Sequence, residues 1–150
     1  MAQSLSKIYL HITFSTKNRH PFIDDTIMQD LWEFLGGICR ALECNPIRIG
    51  GHNDHVHICC LLSKKVTPVK LLGELKSVSS KWIKTKGKRY DDFYWQDGYG
   101  AFSVSPSAID KVVEYIDNQY EHHKQRTFKE ELLVFLKQYG VEYDERYLWE

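Results

Sequence analysis

Two short patterns in this 150-residue chain carry side chains able to do chemistry. The first is His55-Val56-His57. In a β-strand, residues i and i+2 share a face, so both imidazoles would point the same way. Val56, Ile58, Cys60 and Leu62 then form the opposite, apolar face. Two imidazoles side by side suit a divalent cation, although a strand with two surface histidines shows the same pattern. The second pattern is Tyr115 and Gln119, four residues apart in a helical segment. At about 100° per residue they lie next to each other, beside the apolar stripe of Ile109, Val113, Ile116 and Tyr120. Tyr115 offers a phenolic nucleophile and Gln119 a carbonyl oxygen as third ligand. The plainer alternative is a tyrosine on a helix flank, packed against a neighbour. His123, one turn beyond Gln119, is a fallback ligand.

Local patterning places these residues on definite elements. Ile8, Leu10, Ile12 and Phe14 alternate with Tyr9, His11, Thr13 and Ser15, which predicts a half-buried first strand from Lys7 to Thr16. The stripe Ile27, Leu31, Phe34, Leu35, Ile38 and Leu42 predicts a helix from about Thr26 to Glu43, capped by Asp24 or Asp25. Strands follow at Pro46 to Gly50 and His55 to Leu62, joined as a hairpin through Gly51-His52-Asn53-Asp54. Thr67-Pro68 opens a second helix, with proline at its favoured first position. A fourth strand fits Gly100 to Ser105.

The expected fold class is therefore α+β. It is a ferredoxin-like or RRM-like βαββαβ antiparallel sheet with helices on one face and the other face open. C-terminal helices follow, the first from Ser105-Pro106-Ser107 to about Gln125 and carrying Tyr115. Thr127-Phe128-Lys129-Glu130 reads as the capping box of the next, which Gly140 stops. In the usual 4-1-3-2 strand order the first and third strands are neighbours. That puts His11 on the open face beside His55 and His57, as a residue supporting the site.

Composition bounds the rest. With 43% hydrophobic residues the chain can bury one core, and one domain over residues 1–150 is expected. No run approaches the eighteen or so apolar residues of a membrane span, and Met1 to Lys7 lacks a signal-peptide run. A soluble, cytoplasmic protein is expected. Cys39, Cys44, Cys59 and Cys60 contain no C-x-x-C and read as small buried hydrophobes. The net charge of zero hides a basic stretch: Lys64 to Arg89 holds nine Lys/Arg and one acid, Glu74. Its Lys76, Lys81, Lys84, Lys86, Lys88 and Arg89, with Lys17 and Arg19 after the first strand, are either a solvated face or candidate nucleic-acid backbone contacts. Tyr90, Phe93, Tyr94 and Trp95 follow, as base-stacking or core aromatics.

Taken in order, these segments resemble the HUH single-tyrosine transposases, the short enzymes of the smallest bacterial insertion sequences that move as single-stranded DNA. His55-Val56-His57 matches the histidine–hydrophobic–histidine motif, and Tyr115-Ile116-Asp117-Asn118-Gln119 matches Y-x-x-x-Q. Trp95-Gln96-Asp97-Gly98-Tyr99 and the tail from Tyr143 to Trp149 add to the likeness, which spans nearly the whole chain. The resemblance implies a magnesium or manganese ion on His55, His57 and Gln119, and Tyr115 as nucleophile. It further implies a 5′-phosphotyrosine intermediate, single-stranded DNA with hairpin ends as substrate, and a homodimer. The competing reading is a non-catalytic hairpin- or RNA-binding module of RRM-like fold. His11, His55 and His57 stand where such a module carries aromatics. A metal phosphoesterase of another kind would need an acidic ligand, and Asp54 is the only acid near in sequence.

Overall fold

A computed structural model describes residues 2–119 and 126–149. Its elements are β1 (Ile8–Ser15), α1 (Met28–Ala41), β2 (Asn45–Gly51), β3 (His55–Leu62), α2 (Pro68–Lys84) and β4 (Gly100–Val104). Then come α3 (Ile109–Asp117), α4 (Phe128–Gln138) and the short α5 (Glu145–Leu148). The four strands form one antiparallel sheet in the order β2-β3-β1-β4. This is the α+β, ferredoxin-like arrangement that the alternation in β1 and β3 predicts.

Local chemistry explains the boundaries. Asp24 Oδ1 accepts the backbone N–H of Thr26 at 3.0 Å and of Ile27 at 3.3 Å, turning the chain into α1. Thr67 caps α2 through the Lys70 N–H, with Pro68 in the first turn. Thr127 and Glu130 close a reciprocal capping box at the start of α4. The helix expected to run to about Gln125 is interrupted at Asn118, whose ψ has left the helical range although its N–H still reaches Glu114 O at 3.1 Å, and Gln119 is helical again. Tyr120 and His123 lie outside the described residues.

The main core lies between the sheet and α1 with α2. Leu10, Ile12 and Phe14 of β1 meet Val56, Ile58 and Cys60 of β3 there, under Leu31, Leu35, Leu71, Leu72 and Leu75. All four cysteines are free and buried. The opposite sheet face corrects the expectation that it stands open. Phe102 of β4 packs with Phe128, Leu132 and Leu136 of α4, and Leu148 and Trp149 close on them. An amphipathic helix must bury its stripe somewhere, and the second sheet face is the apolar surface left for it. His11, His55 and His57 are consequently buried, each at most 2% exposed.

Helix α3 reaches the sheet at Gly50. A Cβ there would stand 2.9 Å from Ile116 Cγ2 and 3.2 Å from Ile116 O. Gly50→Ala is expected to push α3 outward and destabilise the protein by about 1–3 kcal/mol, the usual cost of overpacking. Because α3 carries Tyr115, the position of that side chain should shift with it. Chemical denaturation checks the effect, and an unchanged midpoint would show that α3 is not held by this contact.

Candidate active site

Strand β3 projects His55 and His57 onto the face that α3 and α4 cover. Each ring is fixed through its outer nitrogen. His55 Nδ1 lies 2.7 Å from Asp54 Oδ1, and His57 Nδ1 lies 2.8 Å from His11 Nε2. Both Nε2 atoms therefore point inward. His55 Nε2 meets Gln119 Oε1 at 2.7 Å. His57 Nε2 meets Glu131 Oε1 at 2.5 Å, and the same oxygen lies 3.7 Å from His55 Nε2. Tyr115 and Glu131 line one cavity and interact electrostatically there. The Tyr115 ring stands edge-on to His57, with centroids 5.6 Å apart. Within one chain, the tyrosine stands beside its own histidines.

Burial and charge shape the acid–base behaviour of the cluster. Burial opposes charge on His55, yet its hydrogen bond to Asp54 and the charge of Glu131 lift its pKa above the ordinary value. Burial, reinforced by the neighbouring His57, pushes His11 down to about 3, so it is a neutral ring. Burial alone would raise Glu131, but the His57 hydrogen bond and both imidazoles bring it down to about 2. Burial, then the Glu131 charge, raises Tyr115 above the usual phenol value. The resting site holds a protonated tyrosine beside an ionised carboxylate.

The donor set fits a divalent cation. Among the described residues, His55, His57 and Glu131 offer ligand atoms all within 4.8 Å of one another. Gln119 Oε1, a fourth inward acceptor, adjoins His55. Ligands around one ion, each at about 2.1 Å, lie roughly 3–4 Å apart. Convergent acceptor atoms in a buried site need positive charge between them, which protons or a cation supply.

The structure brings together His11, His55, His57, Tyr115 and Gln119, as the patterns suggested. His11 touches His57 directly, so it orients that ring and fixes its tautomer. If a cation sits on this cluster, His11→Ala should weaken Mn²⁺ binding about tenfold, the scale for such outer partners. Calorimetric titration checks this; a loss as complete as in His57→Ala would make His11 a ligand. Glu131 is the residue that sequence reasoning missed. A signal existed, since Glu131 falls among Phe128, Leu132 and Phe135 on the apolar stripe of α4, where an acid needs a partner.

The basic candidates divide. Lys76 turns inward, its ammonium held by the carbonyls of Gln96, at 2.7 Å, and Gly98. Arg89 pairs with Asp24 at 2.6 Å. Lys17, Lys81, Lys86 and Lys88 are exposed, and Lys84 lies 4.1 Å over the ring of exposed Tyr94. Arg19 has one buried guanidinium nitrogen without a hydrogen-bond partner. Tyr90, Phe93 and Trp95 are core residues, which settles their role as packing.

A model of the IS200-like transposase family matches residues 4–119. The chain belongs to that family. Its histidine pair, tyrosine and glutamine all fall inside the matched span, whereas helix α4 of this transposase lies beyond it. Two solved structures share its fold. One, a candidate transposase from Deinococcus radiodurans R1, is 20% identical, with a TM-score of 0.62 over 79% of this chain and 98% of its own. The other, a REP-associated tyrosine transposase bound to a REP hairpin, is 15% identical, with a TM-score of 0.58 over 82% of this chain and 74% of its own. No curated protein matches the chain. Among the described residues of this transposase, no helix is long and apolar enough to cross a membrane.

Proposed function

We propose that this transposase, a single domain over residues 1–150, cuts and rejoins single-stranded DNA through Tyr115, using a divalent cation held by His55, His57 and Gln119. The observation that carries this reading is the placement of the Tyr115 hydroxyl against a buried cluster of cation-accepting atoms. A magnesium or manganese ion bound there would neutralise charge on the scissile phosphate and orient it for in-line attack. The chain's own residues do the rest. Asp54 and His11 hold the two imidazoles with Nε2 inward. A cavity of about 330 Å³ opens beside the tyrosine, lined by His11, Lys111, Tyr115, Arg126, Glu131 and Phe135. It gives a phosphodiester access, with Lys111 and Arg126 as its cations.

The Tyr115 oxygen loses its proton to solvent and bonds to phosphorus. The bond from phosphorus to the 3′ oxygen breaks, and that oxygen takes up a proton as a free 3′-OH. The phosphotyrosine on the 5′ side conserves the bond energy, so rejoining needs no ATP. The hairpin-bound neighbour supports hairpin ends as the recognised element. As the resemblance implies, two copies would work as a homodimer in the bacterial cytoplasm.

The test is covalent capture. A single strand bearing a hairpin should yield a protein adduct carrying a 3′ label and release a shortened 5′-labelled piece. No adduct at all would favour a hairpin-binding module instead. The DNA path is tested separately by reversing Lys84, Lys86 and Lys88 to Glu. Each single-strand phosphate contact contributes about −0.7 to the salt slope, so the slope should shrink by up to about 2. An unchanged slope would make these lysines solvated surface only.

A further inference from the structure

Glu131 is 4% exposed and reaches the site from α4, outside the span that the family model matches. Its helix is fixed by the capping box at Thr127 and by the apolar contacts of Phe128, Leu132 and Leu136. The carboxylate is therefore aimed inward by the fold. One oxygen stands 2.5 Å from His57 Nε2 and 3.7 Å from His55 Nε2. It reaches both inward imidazole nitrogens, whereas Gln119 hydrogen-bonds His55 and carries no charge. A buried carboxylate is costly unless positive charge meets it.

We infer that Glu131 is the anionic ligand of the cation at His55 and His57, so that helix α4 completes the metal centre. This rests on the metal-dependent reading above. With Glu131 the set becomes two imidazoles and one carboxylate, with Gln119 as a weaker neutral fourth. Carboxylate oxygen is the ligand type that suits Mg²⁺ and Mn²⁺, which two imidazoles alone do not select. The Tyr115 side chain lining the same cavity gives Glu131 a second task. The group that holds the ion also positions the nucleophile beside it. A carboxylate that serves only as proton acceptor for Tyr115 would have no need to reach both Nε2 atoms.

The full chain should be titrated with Mn²⁺ alone, by calorimetry and by the electron paramagnetic resonance signal of free Mn²⁺. Glu131→Gln keeps the shape and removes the charge. It should weaken Mn²⁺ binding by at least about tenfold, and by more than Gln119→Ala does. Glu131→Asp, whose carboxylate is one methylene short, should fall between wild type and Glu131→Gln. If Glu131→Gln fails to fold by circular dichroism, Glu131→Asp carries the test, and wild-type affinity in it counts against the inference. Mn²⁺ affinity within about twofold of wild type in Glu131→Gln overturns it, even if cleavage is lost, because Glu131 would then act on Tyr115 only. Failure of the broader reading looks different: wild type would bind no Mn²⁺, or would form the adduct at full rate in excess EDTA. Either result also removes the site that Glu131 is inferred to complete.

Discussion

Tyr115→Phe is expected to bind hairpin DNA like wild type while losing the covalent adduct by at least about 10³-fold, as removal of a nucleophile does. The substitution deletes one oxygen and keeps the ring. The edge contacts to His11, His57 and Phe135, with centroids 6.3, 5.6 and 5.5 Å away, survive it. The variant should therefore stay folded, and its loss reports chemistry. Denaturing gels of strands labelled at either end read the outcome. The label polarity matters as much as the yield, because attachment to the 5′-phosphate places only the 3′-labelled piece on protein. An adduct that persists in Tyr115→Phe would assign the nucleophile to another tyrosine, with Tyr120 the first to examine.

Chelation is the second large effect. EDTA should abolish cleavage, and Mn²⁺ or Mg²⁺ should restore it. The pH dependence has a definite sign. Imidazoles must be neutral to bind a cation, so protons compete as the pH falls. Because Asp54 and Glu131 raise His55, competition begins above pH 6.5, the ordinary histidine value. In cation-free protein the same shift contributes stability that is fully present below pH 6.5 and lost as pH rises through the raised value. Mn²⁺ should consequently stabilise most on the alkaline side. At about 100 times its dissociation constant it adds roughly 2.7 kcal/mol, or about 5–10 °C in Tm for a chain of this size. Melting curves with and without Mn²⁺ between pH 6 and 8.5 test this. A Tm increment independent of pH would mean that the ion does not sit on His55.

Much of the fold was legible because it is local. Alternation in β1 and β3 is a property of a few adjacent residues, and His55–Leu62 appears with the expected bounds. The same holds for the capping residues Thr67 and Thr127 and for Tyr115 with Gln119 one helical turn apart. Spacing alone placed both imidazoles on one face and the tyrosine beside the glutamine. What spacing could not supply was the partner of each face. Only packing decided that α4 closes over the second side of the sheet, that Lys76 turns inward, and that Tyr90 buries its ring while its hydroxyl reaches Asp24. Glu131 shows why most clearly. It lies 74 residues from His57 in sequence, yet the two share a 2.5 Å hydrogen bond. Periodicity tells which side of a helix is buried, but not what it is buried against. That follows from where the remaining apolar surface lies once the sheet has formed.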